Sequence, residues 1–227
     1  MIKSILVTNM ATRIEVPILY DSRTNGFPVI WHKDPNGENL VRDIMEKLQP
    51  ERFVETGTHM GWTDMWMSDH YPDLQIYTIE VDPAYFTTAQ QNFRPYPNIH
   101  GFLGNSPAWL NTFRGIFSKG LTFFFLDAHF WAHVPLREEC LFVASLDRYV
   151  ALLDDFEVKD PYFGGDSFEG TPEKPGIRNN IDYVADIMGR KYWRPNYQSL
   201  PPYHKGYGLF LKGVDYTPPK TMKEEGA

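Results

Sequence analysis

The chain has 227 residues, of which 42% are hydrophobic and 15% aromatic, so it is long and apolar enough to form one closed core. Its formal net charge of −7 argues against a nucleic-acid partner, because phosphate binding needs clustered Lys and Arg. The single cysteine, Cys140, excludes an internal disulfide framework and fits a reducing, cytoplasmic compartment. No apolar run reaches membrane-spanning length and the N-terminal run is too short for a secretory signal, so we expect no membrane partner.

The first 37 residues predict two short strands, Ile2–Val7 and Ile14–Tyr20, which we interpret as an N-terminal hairpin or lid. A helix is predicted next, over Glu38–Leu48, and from there strands and helices alternate. The predicted strands are Arg52–Glu55, Gln75–Glu80, Ile99–Leu103, Leu121–Leu126, Tyr149–Leu153, Tyr192–Gln198 and Tyr207–Lys212. The predicted helices are Trp62–His70, Pro83–Phe93, Pro107–Phe117 (with Ser106 as a candidate cap), Pro135–Leu146 and Asn180–Met188.

This alternation predicts an α/β fold with a doubly wound, Rossmann-like sheet of seven strands and helices on both faces. Six strands are expected to be parallel. The last strand is expected to be antiparallel, because too few residues precede it for a crossover helix. We predict one domain over residues 38–216 and a flexible tail over residues 217–227.

The segment at residues 52–62 predicts a ligand-binding turn between a strand and a helix; it reads R-F-V-E-T-G-T-H-M-G-W. Gly57 permits a sharp turn, and Gly61 lets the helix start lie close to the strand and to a ligand. Glu55 precedes the glycines, and its charge would repel a pyrophosphate. An acid there suits a cofactor that carries an ammonium and a sulfonium, namely S-adenosylmethionine. The alternative is a structural turn with an incidental Glu.

Polar residues also end the following strands, where ligands bind in open parallel sheets. Glu80 is placed to accept ribose hydroxyls, and Asn105 and Ser106 are small enough to touch an adenine edge. Asp82 is the better candidate for a plain helix N-terminal charge.

Three aspartates follow two neighbouring strands, namely Asp127, Asp154 and Asp155. Carboxylates that converge in a partly dry cleft repel one another, and a hard divalent cation such as Mg²⁺ would relieve that repulsion. The alternative is that one aspartate caps a loop while another faces water.

With these motifs in view, residues 38–212 resemble a class I S-adenosylmethionine-dependent methyltransferase, and within that class the catechol-type and macrocin-type metal-dependent O-methyltransferases. The matching motifs are E-T-G-T-H-M-G-W-T, I-E-V-D-P, G-N-S-P, L-D and L-D-D. The resemblance implies a cofactor site formed by Glu55, Gly57, Thr58, Gly61, Thr63, Glu80, Asn105, Ser106 and Asp127. It also implies Asp127, Asp154 and Asp155 as Mg²⁺ ligands, and a small-molecule hydroxyl as the methyl acceptor.

One departure affects the chemistry. Catechol-type enzymes place a lysine three residues after the first metal aspartate, where this chain has Phe130. We predict catalytic roles for Asp127 and His129, with His129 or His133 as the replacement base or as a metal ligand. The alternative is that H-F-W-A-H forms an aromatic wall of the substrate pocket or a packing cluster. Separately, Trp131, Tyr162 and Phe163 are candidates to line the acceptor pocket.

Two other functions stay open: a catalytically idle cofactor-binding subunit, and a nicotinamide-dependent oxidoreductase on the same sheet. The spacing between the glycines disfavours the oxidoreductase, and the net charge disfavours a nucleic-acid methyltransferase. The sequence does not fix the oligomeric state, and a homodimer is one option.

Overall fold

The structure is a computed structural model, and it describes residues 4–7, 14–17, 31, 34–129, 134–168, 176–198 and 205–226. Its strands are β1 (Ser4–Val7), β2 (Ile14–Pro17), β3 (Arg52–Thr56), β4 (Gln75–Glu80), β5 (Ile99–Leu103), β6 (Thr122–Leu126), β7 (Tyr149–Leu153), β8 (Ser167–Phe168), β9 (Ile177–Arg178), β10 (Tyr192–Pro195), β11 (Gly208–Lys212) and β12 (Met222–Glu225). Its helices are α1 (Pro35–Leu48), α2 (Trp62–His70), α3 (Pro83–Asn92), α4 (Ser106–Thr112), α5 (Arg114–Phe117), α6 (Leu136–Ala144) and α7 (Ile181–Met188).

The N-terminal strands β1 and β2 pair antiparallel, with Ser4 opposite Pro17. This confirms the predicted hairpin. Most of the remaining residues before α1 lie outside the described part of the chain, so the lid stays a prediction.

The main sheet has the strand order β12-β10-β11-β7-β6-β3-β4-β5. Five neighbouring strands of this sheet, β7, β6, β3, β4 and β5, are parallel to one another, and β11 runs antiparallel to β7. Because β10 is in turn antiparallel to β11, it runs in the same direction as the parallel five. The six strands predicted to share one direction do so, and β11 is reversed as predicted; β12, antiparallel to β10, is a second reversed strand that was not predicted. The order reverses between β3 and β6, and the carboxyl ends of these two strands form one edge of the sheet.

An eighth strand corrects the prediction of a flexible tail. Strand β12 pairs with β10, with Met222 opposite Pro195 and Glu225 opposite Tyr192. The buried Arg194 donates from Nε to Glu225 Oε1 at 3.0 Å, which fixes the end of the tail. The tail looks disordered in sequence because an edge strand buries only one of its faces.

Two apolar clusters lie on opposite faces of the sheet, because successive residues of a strand point to opposite sides. Phe123 packs in the cluster that includes Leu40 and Met65 from α1 and α2. Phe124 packs in the cluster that includes Leu110 and Val143 from α4 and α6. The helices therefore cover both faces, as predicted. Among the residues described, no helix is long and apolar enough to cross a membrane.

One helix differs from its prediction in a way that affects the site. The helix expected over Pro107–Phe117 is divided at Phe113 into α4 and α5. Its cap is Asn105, not Ser106, because Asn105 Oδ1 accepts from the Ala108 N–H at 3.2 Å. Ser106 is instead the first residue of α4, which leaves its side chain available for other contacts.

Candidate functional site

A cavity of about 350 Å³ opens at the carboxyl ends of the parallel strands. It contains eight of the nine predicted cofactor residues, together with His129; the eight are Glu55, Gly57, Thr58, Thr63, Glu80, Asn105, Ser106 and Asp127. Apolar residues complete its wall, among them Ile79, Val81, Ala128 and Pro135. A cavity of this size, apolar with a few convergent polar groups, is typical of a small-molecule site.

The glycines of the turn after β3 have separate roles. Gly57 has φ 90°, and a Cβ there would lie 2.6 Å from the Asp127 carbonyl oxygen. The turn can therefore pass close to the end of β6 only because residue 57 is a glycine. Gly61 has φ 79°, and a Cβ there would lie 2.2 Å from the Phe93 ring. Gly61 does not line the cavity. Its close approach is to Phe93, whereas the sequence predicted an approach to the strand and to a ligand.

Glu55 is 2% exposed, and burial raises the pKa of its carboxyl well above the usual range, with further contributions from Asp64 and Asp127. The Asp64 carboxyl is completely buried, and burial raises its pKa to about 7. A cation above Glu55 would stabilise the ionised form of this pair. Asp64 was not predicted as a functional residue. The only sign of it in the sequence is that α2 carries a charged residue at a position that is buried.

Glu80 is held in place by two backbone N–H groups. His59 N donates to Oε2 at 2.7 Å, and Asp82 N donates to Oε1 at 2.8 Å. Each carboxylate oxygen keeps a second lone pair for a ligand hydroxyl. Asp82 caps α3, accepting from Ala84 N at 2.7 Å, which confirms the plain helix-end role expected for it.

Three aromatic rings, from His59, Trp62 and Tyr85, line the cavity. The His59 ring lies 4.3 Å from the Tyr85 ring and 5.5 Å from the Trp62 ring, measured between centroids. His59 adopts φ 50°, a left-handed conformation that is uncommon for a residue with a side chain and is typical of functional turns. No local sequence pattern indicates this aromatic group, because its members come from two helices and a loop.

The acidic end of the cavity differs from the predicted metal set. Ligand atoms of Asp127, His129 and Asp155 all lie within 4.8 Å of one another. Asp154 does not belong to that group. It lines a smaller cavity beside Lys205 and Tyr207. The two aspartates are adjacent in sequence and diverge because Asp155 has φ 49°, which turns the chain immediately after β7.

His129 lies between carboxylates from several loops. Its Nε2 is 3.2 Å from Asp155 Oδ2 and 3.4 Å from Asp166 Oδ2, and its Nδ1 is 3.6 Å from Asp127 Oδ1. Burial lowers the pKa of the imidazole, but the hydrogen bond and charge of Asp155 outweigh burial and raise it above the usual value. Asp127 has its pKa raised well above the usual range by burial and by Asp154 and Asp155.

Lys205 adds a cation that the sequence did not indicate as part of the site. Its Nζ contacts Asp166 and lies 3.9 Å from Asp155 Oδ1. Backbone bonds hold this arrangement: Asp166 N donates to Asp155 O at 2.8 Å, and Gly206 N donates to Gly164 O at 2.7 Å. The loop after β7, whose role the sequence left open, therefore carries Asp166 to the site.

Two residues of the predicted aromatic pocket, Trp131 and His133, lie outside the described residues. Phe163 is buried and packs edge-on against Tyr197, with centroids 5.2 Å apart. It is part of the core and does not line the cavity, which corrects its predicted role. Tyr162 is 45% exposed and also lies away from the cavity lining.

No protein-family model matches the sequence, and no curated protein matches it. Solved structures do match. The O-methyltransferase TomG from Streptomyces achromogenes, in complex with S-adenosylmethionine, aligns with 79% of this chain and 80% of its own, at 17% identity and TM-score 0.53. A Staphylococcus aureus structure provisionally named a caffeoyl-CoA O-methyltransferase aligns with 85% of this chain and 88% of its own, at 14% identity and TM-score 0.53.

A spermidine synthase from Thermotoga maritima aligns with 84% of this chain and 64% of its own, at 13% identity and TM-score 0.54. The chain has the class I methyltransferase fold. Because the matched structures carry different activities in their names, the fold alone does not choose the reaction. The reaction is therefore inferred from the residues that line the cavity.

Proposed function

We propose that this protein is an S-adenosylmethionine-dependent methyltransferase that acts on a hydroxyl of a small molecule. The observation that carries the proposal is the buried Glu55 at the end of β3, lining the same cavity as Glu80 at the end of β4. A donor with a cationic methionine end and a neutral ribose end matches these two acids. A dinucleotide does not, because its pyrophosphate would face Glu55.

The chain's own residues can hold each part of the donor. Glu55 attracts the ammonium, and Thr63, at the start of α2, lines the cavity and hydrogen-bonds Glu55, which favours the ionised carboxylate. Glu80 accepts from the ribose hydroxyls with oxygens already oriented by two backbone bonds. Methyl transfer then needs the acceptor oxygen at a near-attack distance of roughly 3–3.5 Å and water kept out of the cavity.

A divalent cation fits the chemistry of the acidic end. Asp127, His129 and Asp155 offer two carboxylates and an imidazole, a donor set that suits Mn²⁺, Fe²⁺ or Zn²⁺ as well as Mg²⁺. These three residues would hold the ion. When bound, such an ion lowers the pKa of a hydroxyl and orients it. Asp166 would then orient His129, because Asp166 Oδ2 lies 3.4 Å from His129 Nε2.

The rival function is a cofactor-binding subunit without activity, and one observation favours it. Lys205 already contacts Asp166 and approaches Asp155, so part of the negative charge at the acidic end is balanced without a metal. The rival predicts donor binding without turnover. Our proposal predicts donor binding and methyl transfer.

Calorimetric titration with S-adenosylhomocysteine, followed by transfer of labelled methyl from S-adenosylmethionine to a panel of phenols and polyols, tests the proposal. Glu80→Ala should weaken donor binding by about 10- to 100-fold, because two hydroxyl contacts are lost. Asp73→Ala is the matched control, since Asp73 is an exposed acid at the other end of β4. Wild-type protein that binds neither donor nor product would refute the proposal. Donor binding without methyl transfer to any acceptor would favour the rival.

A further inference from the structure

Glu139 is a buried acid next to the cavity that the donor argument does not use. It is 1% exposed, projects from α6, and accepts a hydrogen bond from the Ser106 hydroxyl through Oε1. Its other oxygen, Oε2, has no hydrogen-bond partner of normal geometry among the described residues. Burial raises the pKa of this carboxyl to about 7, against the Ser106 and Thr56 hydroxyls, which lower it. Burying an acid costs stability, which a functional role of the carboxyl would explain.

The hydrogen bond to Glu139 determines whether the Ser106 hydroxyl donates or accepts toward the cavity. A serine hydroxyl has one hydrogen, and here that hydrogen is donated to Glu139. Ser106 lines the cavity, so only its oxygen lone pairs remain for a ligand. This holds when Glu139 is ionised, and also when its proton is on Oε2, because Oε1 then remains an acceptor. Ser106 is therefore a hydrogen-bond acceptor toward the cavity.

The neighbouring Asn105 presents the opposite polarity. Its Oδ1 accepts from Ala108 N at 3.2 Å as the cap of α4, which assigns the orientation of the amide. The NH₂ group of Asn105, which also lines the cavity, is then the free end and can only donate. The cavity wall thus offers an acceptor and a donor on consecutive residues.

We propose that Glu139 is a positioning residue: it makes Ser106 an acceptor toward the amino edge of the donor's adenine, the part of the donor that Asn105 and Ser106 are predicted to touch. The proposal rests on the proposed function, since it concerns the purine of the same donor. Adenine has a hydrogen-bond donor, the 6-amino group, beside ring-nitrogen acceptors, which complements Ser106 and Asn105. A 6-oxo purine has an acceptor in place of the amino group and would face the lone pairs of Ser106.

The test compares S-adenosylhomocysteine with its 6-oxo analogue, S-inosylhomocysteine, by calorimetry. Wild-type protein should prefer the adenine ligand by about 10- to 100-fold, the usual effect of one mispaired polar contact. Glu139→Met is close in size and removes the acceptor, so the Ser106 hydroxyl can rotate and donate. Its preference should fall to about threefold or less, mainly through tighter binding of the 6-oxo ligand. Glu139→Gln keeps an acceptor and should retain the preference, a rescue that a purely structural role would not produce.

Glu138→Met is the control, because Glu138 is exposed on the same helix. If Glu139→Met does not fold, Ser106→Ala serves instead, and it should also reduce the preference. An unchanged preference in Glu139→Met or Ser106→Ala, with normal binding of the adenine ligand to the wild type, overturns this inference alone. Wild-type protein that does not bind the adenine ligand overturns the proposed function and this inference with it.

Discussion

His129 Nε2 lies 3.2 Å from Asp155 Oδ2, and the neighbouring Asp154 is outside the group that these two residues form with Asp127. The imidazole, not the second aspartate of the pair, is therefore the third potential ligand. Asp155 has a left-handed backbone with φ 49°, and it faces His129, whereas Asp154 lines the smaller cavity beside Lys205.

The first prediction follows from that geometry. His129→Ala and Asp155→Asn should each weaken Mn²⁺ binding by at least about 10- to 100-fold, since each removes a ligand. Asp154→Asn should change the affinity much less. Calorimetric titration of the apo protein with Mn²⁺ measures this, with His100→Ala as the control at the far end of β5, where His100 contacts Gln75. Equal losses in Asp154→Asn and Asp155→Asn would restore the three-aspartate site predicted from sequence.

The second prediction concerns pH and the buried Asp64. Its pKa is about 7 in the folded protein against an ordinary value of 3.8, so the folded state holds a proton that the unfolded state has lost. The contribution of this group to stability should therefore fall as the pH rises from about 4 to 7.

Asp64→Asn cannot ionise and should remove that slope. Urea denaturation at pH 5, 6, 7 and 8 should show the stability of the variant, relative to wild type, rising across this range. Asp73→Asn, at an exposed position, is the control. Parallel profiles for wild type and Asp64→Asn would mean that the Asp64 carboxyl ionises in the folded state at its ordinary pKa.

The sequence predicted the sheet and its strand ends well, because those features depend on local signals. Helix α2 and strand β4 occur where they were predicted, since glycine and proline mark their ends. Glu55 and Glu80 were identified as cavity residues for the same reason, because the carboxyl ends of parallel strands meet at one edge.

The groups that were missed depend on tertiary contacts. Lys205 reaches Asp166 only because the loop after β7 folds back against the start of β11. Glu139 is one of two consecutive glutamates on α6, and no local pattern shows that it contacts Ser106 while Glu138 is exposed. Strand β12 was missed because its M-K-E-E sequence has almost no apolar content, and its stability comes from pairing with β10.

The third prediction separates backbone strain from steric overlap at Gly57. Both Gly57 and Gly189 have positive φ, 90° and 81°, but a Cβ at Gly189 meets nothing within 4 Å while one at Gly57 meets Asp127. Gly189→Ala should cost about 1–3 kcal/mol from backbone strain alone, because φ 81° with ψ 172° is a conformation that almost only glycine adopts. Gly57→Ala should cost at least about 2 kcal/mol more, because the Asp127 backbone must also move.

Urea denaturation measures both costs, and titration with S-adenosylhomocysteine provides the second measurement. Donor binding should weaken in Gly57→Ala and stay unchanged in Gly189→Ala, since only Gly57 lines the cavity. If the two variants lose equal stability and bind the ligand equally well, the close contact between the turn and the end of β6 is not needed for the site.

The fourth prediction is that the tail stabilises the whole domain. Met222 is 5% exposed and packs in the same cluster as Leu209 of β11, while Glu225 pairs with the buried Arg194. Removing residues 217–227 deletes both contacts and leaves the β10 edge of the sheet unpaired. Met222→Ala should cost about 2 kcal/mol as a large-to-small change near an edge, and the deletion should cost more. Lys223→Ala is the control, because Lys223 is an exposed residue of the same strand. A truncated protein with the urea midpoint of the full chain would show that β12 adds nothing to stability, and the tail would then behave as the sequence predicted.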